Sequence, residues 1–263
     1  MTQAPNLLNL LSAYNITIFM LIFTRLTGMI QNAPFFSSLQ APMMVKIWFC
    51  ATVAFLIYPL VFASKMYIMP KNMAEFIILI AFEFLIGYLI GFISNLILEG
   101  VRMAGSILSI QTGLSMSEAL DPATGVSAPE ISRIYVYLAI LVFLATGAYQ
   151  FLFMVLFGSF SGIPIGTFPL FDSSAISSVL LLFGQIFKVA FGVVLPIFSV
   201  LLISDILLGI SSKMMPQMNI YMVALPVKIY IGLFLILAFL SATNTYLQGV
   251  IKNYIQALSL IFT

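Results

Sequence analysis

The residues of this sequence that could do chemistry are few, and the most unusual of them are ionisable side chains inside long apolar stretches. They are Arg25, Glu83, Lys188, Asp205 and Lys228. A charge in the middle of a membrane is costly, so such side chains usually face a partner, a cavity or a subunit interface. Lys188 and Asp205 would lie about 25 Å apart along a straight helix, so these two can pair only if the chain folds back between them.

Catalytic chemistry finds little support in the sequence. The chain has no histidine, so it lacks the usual proton shuttle and metal ligand at neutral pH. It contains no phosphate-binding loop, nucleophile elbow or His-Glu-x-x-His zinc motif. The nearest carboxylate pair, Glu118 and Asp121, lies beside Pro122 and suits a loop that accepts backbone hydrogen bonds. We therefore expect a protein that is not an enzyme and that uses no metal or cofactor.

The elements that must position these residues are strongly apolar. Of 263 residues, 62% are hydrophobic and only 7% are charged, whereas a soluble domain carries about 25% charged residues. Such a surface needs lipid or other subunits to cover it, because large exposed apolar patches drive association. The net charge of +2 is too small for the basic surface that nucleic-acid binding requires. The composition predicts a membrane protein or a subunit of an obligate complex, with no nucleic-acid partner.

Six stretches are long enough to cross a membrane as helices, a crossing that takes about 20 apolar residues. Their continuous apolarity favours helices over the alternating strands of a barrel. The stretches cover residues 7–30, 44–63, 74–98, 134–157, 179–210 and 220–240. The sequence thus predicts an all-α integral membrane protein. Because no linker divides the chain, we expect a single domain over residues 1–263.

The structure of two segments, the fifth stretch and the residues after the sixth, needs a separate prediction. The fifth is longer than one perpendicular crossing and contains Pro196, so it predicts either a tilted, kinked helix or a hairpin. After the sixth, the apolar residues 251–262 are predicted to form a short interfacial or packed helix rather than a further crossing.

Glycines mark two other places in the chain. Gly87 and Gly91 lie four residues apart in the third stretch, and small residues at this spacing let helix backbones approach closely in lipid. We expect them to line a helix–helix contact. The glycines within residues 158–166 flank Pro164, which favours a loop or a helix end.

Residues 111–130 interrupt the apolar pattern. Gly113, Pro122 and Gly125 break regular structure there, and long irregular connections are often functional. The segment is either a solvated loop outside the membrane or a re-entrant loop that lines a water-filled path. Its composition is compatible with both.

Several short motifs occur in an order and spacing that resemble the FliR family, subunits of the flagellar type III export gate. They are Glu99-Gly-Val-Arg-Met-Ala-Gly105, Gln111-Thr-Gly-Leu-Ser-Met116, Asp121-Pro122, Gly158-Ser-Phe-Ser-Gly-Ile-Pro-Ile-Gly166, Pro216-Gln-Met-Asn219 and Pro226-Val-Lys228. The SctT/SpaR family of virulence injectisomes is related to it. In one place the chain departs from the pattern: it reads Gly147-Ala-Tyr-Gln150 where many relatives carry Gly-His, so no role of that histidine is carried over.

The resemblance implies a fold, partners and a location. A single copy of the chain would pack with several copies of FliP and FliQ into a helical hetero-oligomeric pore, contacted by FlhB on its cytoplasmic side. Unfolded flagellar proteins would pass through this pore. The complex would lie in the bacterial inner membrane, within the flagellar basal body.

The resemblance also implies that the irregular segment closes the pore while export is idle. The residues assigned to this closing loop are Gln111, Thr112, Gly113, Leu114, Ser115, Met116, Asp121, Pro122 and Gly125. We expect subunit-contact or structural roles for another set of residues. These are Gly87, Gly91, Arg102, Lys188, Asp205, Pro216, Gln217, Asn219, Pro226 and Lys228.

Two alternative functions compete with the flagellar one. The first is a stand-alone secondary transporter whose mid-membrane site would use Lys188, Asp205 and the helix broken at Pro196. Such transporters usually carry two related halves, and the segment around Pro196 has no clear counterpart before residue 130. The second is a gate subunit of a virulence injectisome. The C-terminal motif favours the flagellar system.

Overall fold

A computed structural model describes residues 13–38, 42–64, 67–115, 130–167, 173–214 and 220–262. Within these ranges the chain forms helices joined by short connections. The helices are α1 (Ala13–Asn32), α2 (Pro34–Ser38), α3 (Met43–Ser64), α4 (Met73–Thr112), α5 (Glu130–Ala145), α6 (Ala148–Gly162), α7 (Ser173–Met214) and α8 (Ile220–Phe262). The β-structure in the same ranges is one isolated bridge between Tyr67 and Ile165. The predicted all-α class is confirmed.

Several of these helices suit a membrane. Four described helical segments are long and apolar enough to cross one: Met43–Ala63, Met73–Thr112, Leu180–Met214 and Met222–Tyr254. A fifth crossing arises if α5 and α6, which meet at a bend of 69°, are counted as one broken span. The integral membrane class is therefore confirmed.

Within the described residues, fewer helices qualify as crossings than the six stretches that the sequence predicts. The first stretch begins at residue 7, outside the described residues, and its described part, α1, is not among the qualifying helices, so this crossing stays a prediction. The fourth stretch does not form one straight helix. Gly147, with φ of 69°, lies between α5 and α6, and this left-handed backbone conformation ends α5.

The two open questions about the long stretches are settled by continuous helices. Helix α7 runs through Pro196 over 42 residues, which excludes the hairpin. Proline removes one backbone donor, and membrane helices tolerate this loss. Helix α8 has 43 residues and includes residues 251–262, so the separate short helix predicted there is wrong. Thr243, Asn244 and Thr245 are polar, and α8 continues through them.

The described helices belong to two compact units that interleave along the chain. The first unit contains Met1–Asn95, Tyr149–Leu180 and Ile255–Thr263, and the second contains Leu96–Ala148 and Leu181–Tyr254. The expected single domain over residues 1–263 stays a prediction.

Each unit has its own buried core. In the first unit, Ile18, Leu21, Ile22 and Leu26 of α1 are buried, and their spacing places them on one face of that helix. In the second unit, Val101, Ala104 and Leu108 form the same kind of buried stripe along α4.

Candidate functional site

Helices α1 and α4 meet in the first unit where three glycines let their backbones touch. A Cβ added to Gly87 would lie 1.9 Å from the carbonyl oxygen of Arg25, and one on Gly91 would lie 2.3 Å from that of Met29. From the other side, a Cβ on Gly28 would lie 2.3 Å from the carbonyl oxygen of Phe84. Gly28 gave no signal in the sequence, because no second glycine lies four residues from it.

This close approach brings a buried ion pair together. The Nε of Arg25 donates to Oε2 of Glu83 at 2.5 Å, and both side chains are almost completely buried. The remaining guanidinium donors reach α6 and the residue that follows it: Nη1 donates to the carbonyl oxygens of Ser159 and Ile163, and Nη2 also donates to Ile163. The guanidinium carbon lies 4.6 Å from the centre of the Phe160 ring. Arg25 therefore ties α1 to α4 and to the end of α6.

The second oxygen of Glu83 holds the turn after α6. Its Oε1 accepts the backbone N–H of Gly166 at 3.1 Å, and Gly166 has φ of 80°. A Cβ there would lie 2.2 Å from the carbonyl oxygen of Ile68, so only glycine fits. The N–H of Ile68 in turn donates to the carbonyl oxygen of Ile165 at 2.7 Å. The glycine motif at residues 158–166 is thus a helix end and a clamped turn.

A tyrosine pair lies beside this turn. The ring of Tyr14 packs edge-on against that of Tyr67, with their centres 5.8 Å apart. A hydrogen bond with Tyr14, helped by burial, raises the pKa of Tyr67 to about 12. Tyr67 is therefore neutral at physiological pH and offers no phenolate for chemistry.

In the second unit, the candidate charges of α7 and α8 pair with each other. The Nζ of Lys228 lies 2.7 Å from Oδ1 of Asp205, and Nε2 of Gln111, in the last turn of α4, donates to Oδ2 at 2.9 Å. Lys188 lies on the same helix as Asp205 and exposes its side chain. The hydroxyl of Tyr246 donates to the backbone oxygen of Lys188 at 3.0 Å.

The start of the expected closing segment is described, and its remainder is not. Gln111 and Thr112 are the last residues of α4, Gly113 follows with φ of 83°, and Leu114 and Ser115 are half-buried. The other residues expected to act in closure or in subunit contacts lie outside the described residues. They are Met116, Asp121, Pro122, Gly125, Pro216, Gln217 and Asn219.

The other candidates lie at helix surfaces. Arg102 forms an exposed ion pair with Glu99 one turn earlier, and its backbone oxygen accepts the hydroxyl of Ser132 at 2.9 Å. Pro226 lies inside α8 with its side chain exposed. Among the described residues, no group of three acidic, histidine or cysteine side chains could hold a metal. These surfaces suit contacts with lipid or protein.

The comparisons with known proteins agree with one another. A family described as bacterial export proteins, family 1, matches residues 16–254. Flagellar biosynthetic protein FliR of Bacillus subtilis (strain 168) is 28% identical over 243 residues, which cover 91% of this chain and 92% of that protein. The FliR protein of Escherichia coli (strain K12) is 28% identical over 235 residues, or 89% of this chain and 88% of that protein. Surface presentation of antigens protein SpaR of Shigella flexneri is 31% identical over 170 residues, or 64% of each chain.

Proposed function

Because this chain belongs to the bacterial export proteins, family 1, we propose that it is a structural subunit of the inner-membrane export gate of the flagellar type III secretion system. It forms part of the wall of a pore for unfolded flagellar proteins and performs no catalysis. One copy assembles with several copies of FliP and FliQ, and FlhB contacts the assembly on its cytoplasmic side. The complex lies in the flagellar basal body.

The observation that carries this proposal is the amount of apolar helix surface that the chain does not cover itself. In the most apolar 18 residues of each candidate crossing, between 17% and 39% of the residues are buried by the rest of the chain. Helix α8 is the least covered, and Met222, Tyr230, Phe234 and Leu237 are each more than two-thirds exposed. A subunit inside a helical pore needs such surfaces on several helices, because lipid covers some of them and neighbouring subunits cover others.

The flagellar system is favoured over the injectisome by the extent of the similarity. The FliR relatives match 91% and 89% of this chain, whereas SpaR matches 64% of it.

The structure gives a stand-alone transporter little support. Lys188 and Asp205 lie on one continuous helix, so they do not form a shared site, and Asp205 pairs instead with Lys228.

Copurification tests the proposed assembly. After extraction in mild detergent, a tagged copy of this chain is expected to retain FliP and FliQ, with both partners in excess over the chain. Quantitative mass spectrometry of the purified complex measures the ratio. A chain that purifies alone, and that binds or moves a small solute by itself, would contradict the proposal and favour the transporter.

Deletion of residues 111–116 tests closure of the pore. We expect the assembled complex lacking these residues to leak small ions, because the segment that blocks the path loses its base. Ion flux into liposomes that contain the purified complex measures the leak. Retention of FliP and FliQ by the deletion variant is the control for correct assembly. An assembled variant with unchanged flux would show that the segment does not close the pore.

A further inference from the structure

A cavity of about 200 Å³ lies between the start of α1 and the second half of α3, within the first unit. Its wall is almost entirely apolar, and it is lined by Asn15, Ile16 and Phe19 of α1 and by Phe55 and Tyr58 of α3. The cavity opens at the surface, since Ile16 and Phe55 are each about half exposed. An apolar cavity of about 150 Å³ stays dry and admits a benzene-sized molecule. This one therefore has room for several carbon atoms of an apolar ligand.

Helix α3 has the features of a helix that faces lipid. Its buried side carries Ala54 and Ile57, and its exposed side carries Leu56 and Leu60, so it is apolar all round, as is typical of a membrane crossing. Basic and aromatic residues, which anchor crossings at the two membrane surfaces, occur at both of its ends. They are Lys46 and Trp48 at the start, and Tyr67 and Lys71 beyond the end.

The spacing of these anchors matches a bilayer. Lys46 is 18 residues from the end of α3, about 27 Å along the helix, and the hydrocarbon core of a bilayer is about 30 Å thick. Lysines at both limits of an apolar helix complement the phosphate groups of two lipid leaflets. The cavity thus opens on a surface that suits the hydrocarbon core of a membrane.

A row of aromatic rings connects the cavity with the end of α3. The ring centre of Tyr58 lies 5.7 Å from that of Phe62, and Phe62 lies 6.2 Å from Tyr67. Tyr67 in turn packs on Tyr14 at the start of α1. Tyrosine favours the membrane surface because its ring is apolar and its hydroxyl is polar. Phe55 is nine residues from the end of α3, about 14 Å, so the cavity lies at the depth of the acyl chains of one leaflet.

We propose that the cavity between α1 and α3 binds an acyl chain of a membrane phospholipid, with the headgroup at the level of Tyr67 and Lys71. The apolar wall receives the chain, and the exposed ammonium of Lys71 complements the phosphate. The proposal goes beyond the proposed function and does not depend on it, because it rests on the cavity and on the ends of α3.

Fluorescence quenching tests the proposal, because the chain has a single tryptophan. Trp48 lies seven residues before Phe55 on the same helix and is 70% exposed, so it reports contact with bulk lipid. Phe55→Trp in a Trp48→Phe background reports the cavity. The purified full-length chain in nonionic detergent is titrated with phosphatidylglycerol that carries brominated acyl chains. Half-maximal quenching of residue 55 is expected at a lipid concentration about tenfold or more below that for Trp48, since burial of two methylene groups supplies this factor.

The reciprocal labelling distinguishes a phospholipid from any other alkyl chain. The bromine atoms are now on the detergent, and unlabelled phosphatidylglycerol is added. We expect the added lipid to relieve the quenching of residue 55, because it displaces the detergent chain from the cavity. The quenching of Trp48 should change only in proportion to the dilution of the detergent.

Filling the cavity should weaken binding. Ile16→Phe enlarges a lining side chain and is expected to raise the lipid concentration for half-maximal quenching of residue 55 by about tenfold, because room for two methylene groups is lost. Met20→Phe is the matched control, since Met20 is half exposed on the same helix and does not line the cavity. It is expected to leave the concentration unchanged. Circular dichroism of both variants checks their folding.

Four results would overturn the proposal. They are equal half-quenching concentrations at residues 55 and 48, detergent quenching of residue 55 that phospholipid does not relieve, unchanged binding in folded Ile16→Phe, and loss of lipid quenching at residue 55 in the complex that copurifies with partner subunits. The last result would assign the cavity to a neighbouring protein. The comparison of residues 55 and 48 needs no change at Ile16, so it decides even if Ile16→Phe does not fold.

Discussion

Replacing Arg25 by methionine is expected to lower the free energy of unfolding by about 3 to 5 kcal/mol, the cost of leaving one partner of a buried ion pair without the other. Arg25 is fully buried and Glu83 nearly so. Its loss would strand the carboxylate of Glu83 and remove the hydrogen bonds to Ser159 and Ile163. Denaturation of the purified chain in mild detergent, followed by far-ultraviolet circular dichroism, measures the change.

An exposed ion pair in the same chain provides the comparison. Arg102 pairs with Glu99 one helical turn away, with 45% of its side chain exposed. Exposed helical pairs contribute only about 0.3 to 0.5 kcal/mol, so Arg102→Met should be nearly neutral. The double variant Arg25→Met with Glu83→Gln should be less destabilised than the sum of its single changes, since the two residues contact each other. Equal losses in Arg25→Met and Arg102→Met would show that burial does not set the strength of the Arg25 pair.

The apolar stretches of the sequence predict where helices lie better than where they end. The third stretch was expected to end at residue 98, but α4 continues to Thr112. Hydropathy falls at Glu99 and Arg102, but these two residues pair along the helix and neither of them ends it. The same reasoning explains α8, which continues past Thr243. A polar side chain lowers hydropathy without ending the helix, whereas Gly147 ends α5 through its left-handed backbone conformation.

The sequence predicts which charged residues belong to the candidate site, but it does not predict which of them pair. Arg25, Glu83, Asp205 and Lys228 were selected because a charge among apolar residues needs a partner. The partners are distant in sequence: Arg25 and Glu83 are 58 positions apart, so no helical spacing identifies them. Gln111 carries no charge, so nothing in the sequence indicates that its side-chain amide donates to Asp205. Such contacts depend on tertiary packing.

Substituting Gly87 by alanine is expected to separate α1 from α4 at the point where their backbones touch. The new Cβ would lie 1.9 Å from the carbonyl oxygen of Arg25. No side-chain rotamer can relieve this clash, because the neighbouring atom belongs to the backbone. Overpacking in a core costs about 1 to 3 kcal/mol when side chains can adjust, so the loss here should reach or exceed that range. It would also move Arg25 away from Glu83, so the effects of Gly87→Ala and Glu83→Gln should be less than additive.

The same substitution elsewhere separates crowding from the general effect of a methyl group. Gly209 lies exposed in α7, and a Cβ there would meet no atom within 4 Å. Alanine favours a helix over glycine by about 0.5 to 1 kcal/mol, so Gly209→Ala should leave stability unchanged or raise it. Denaturation of both variants under one set of detergent conditions measures the contrast. If both substitutions changed stability equally, the close approach of α1 and α4 would not be a source of stability, and the glycine spacing would have no role in their packing.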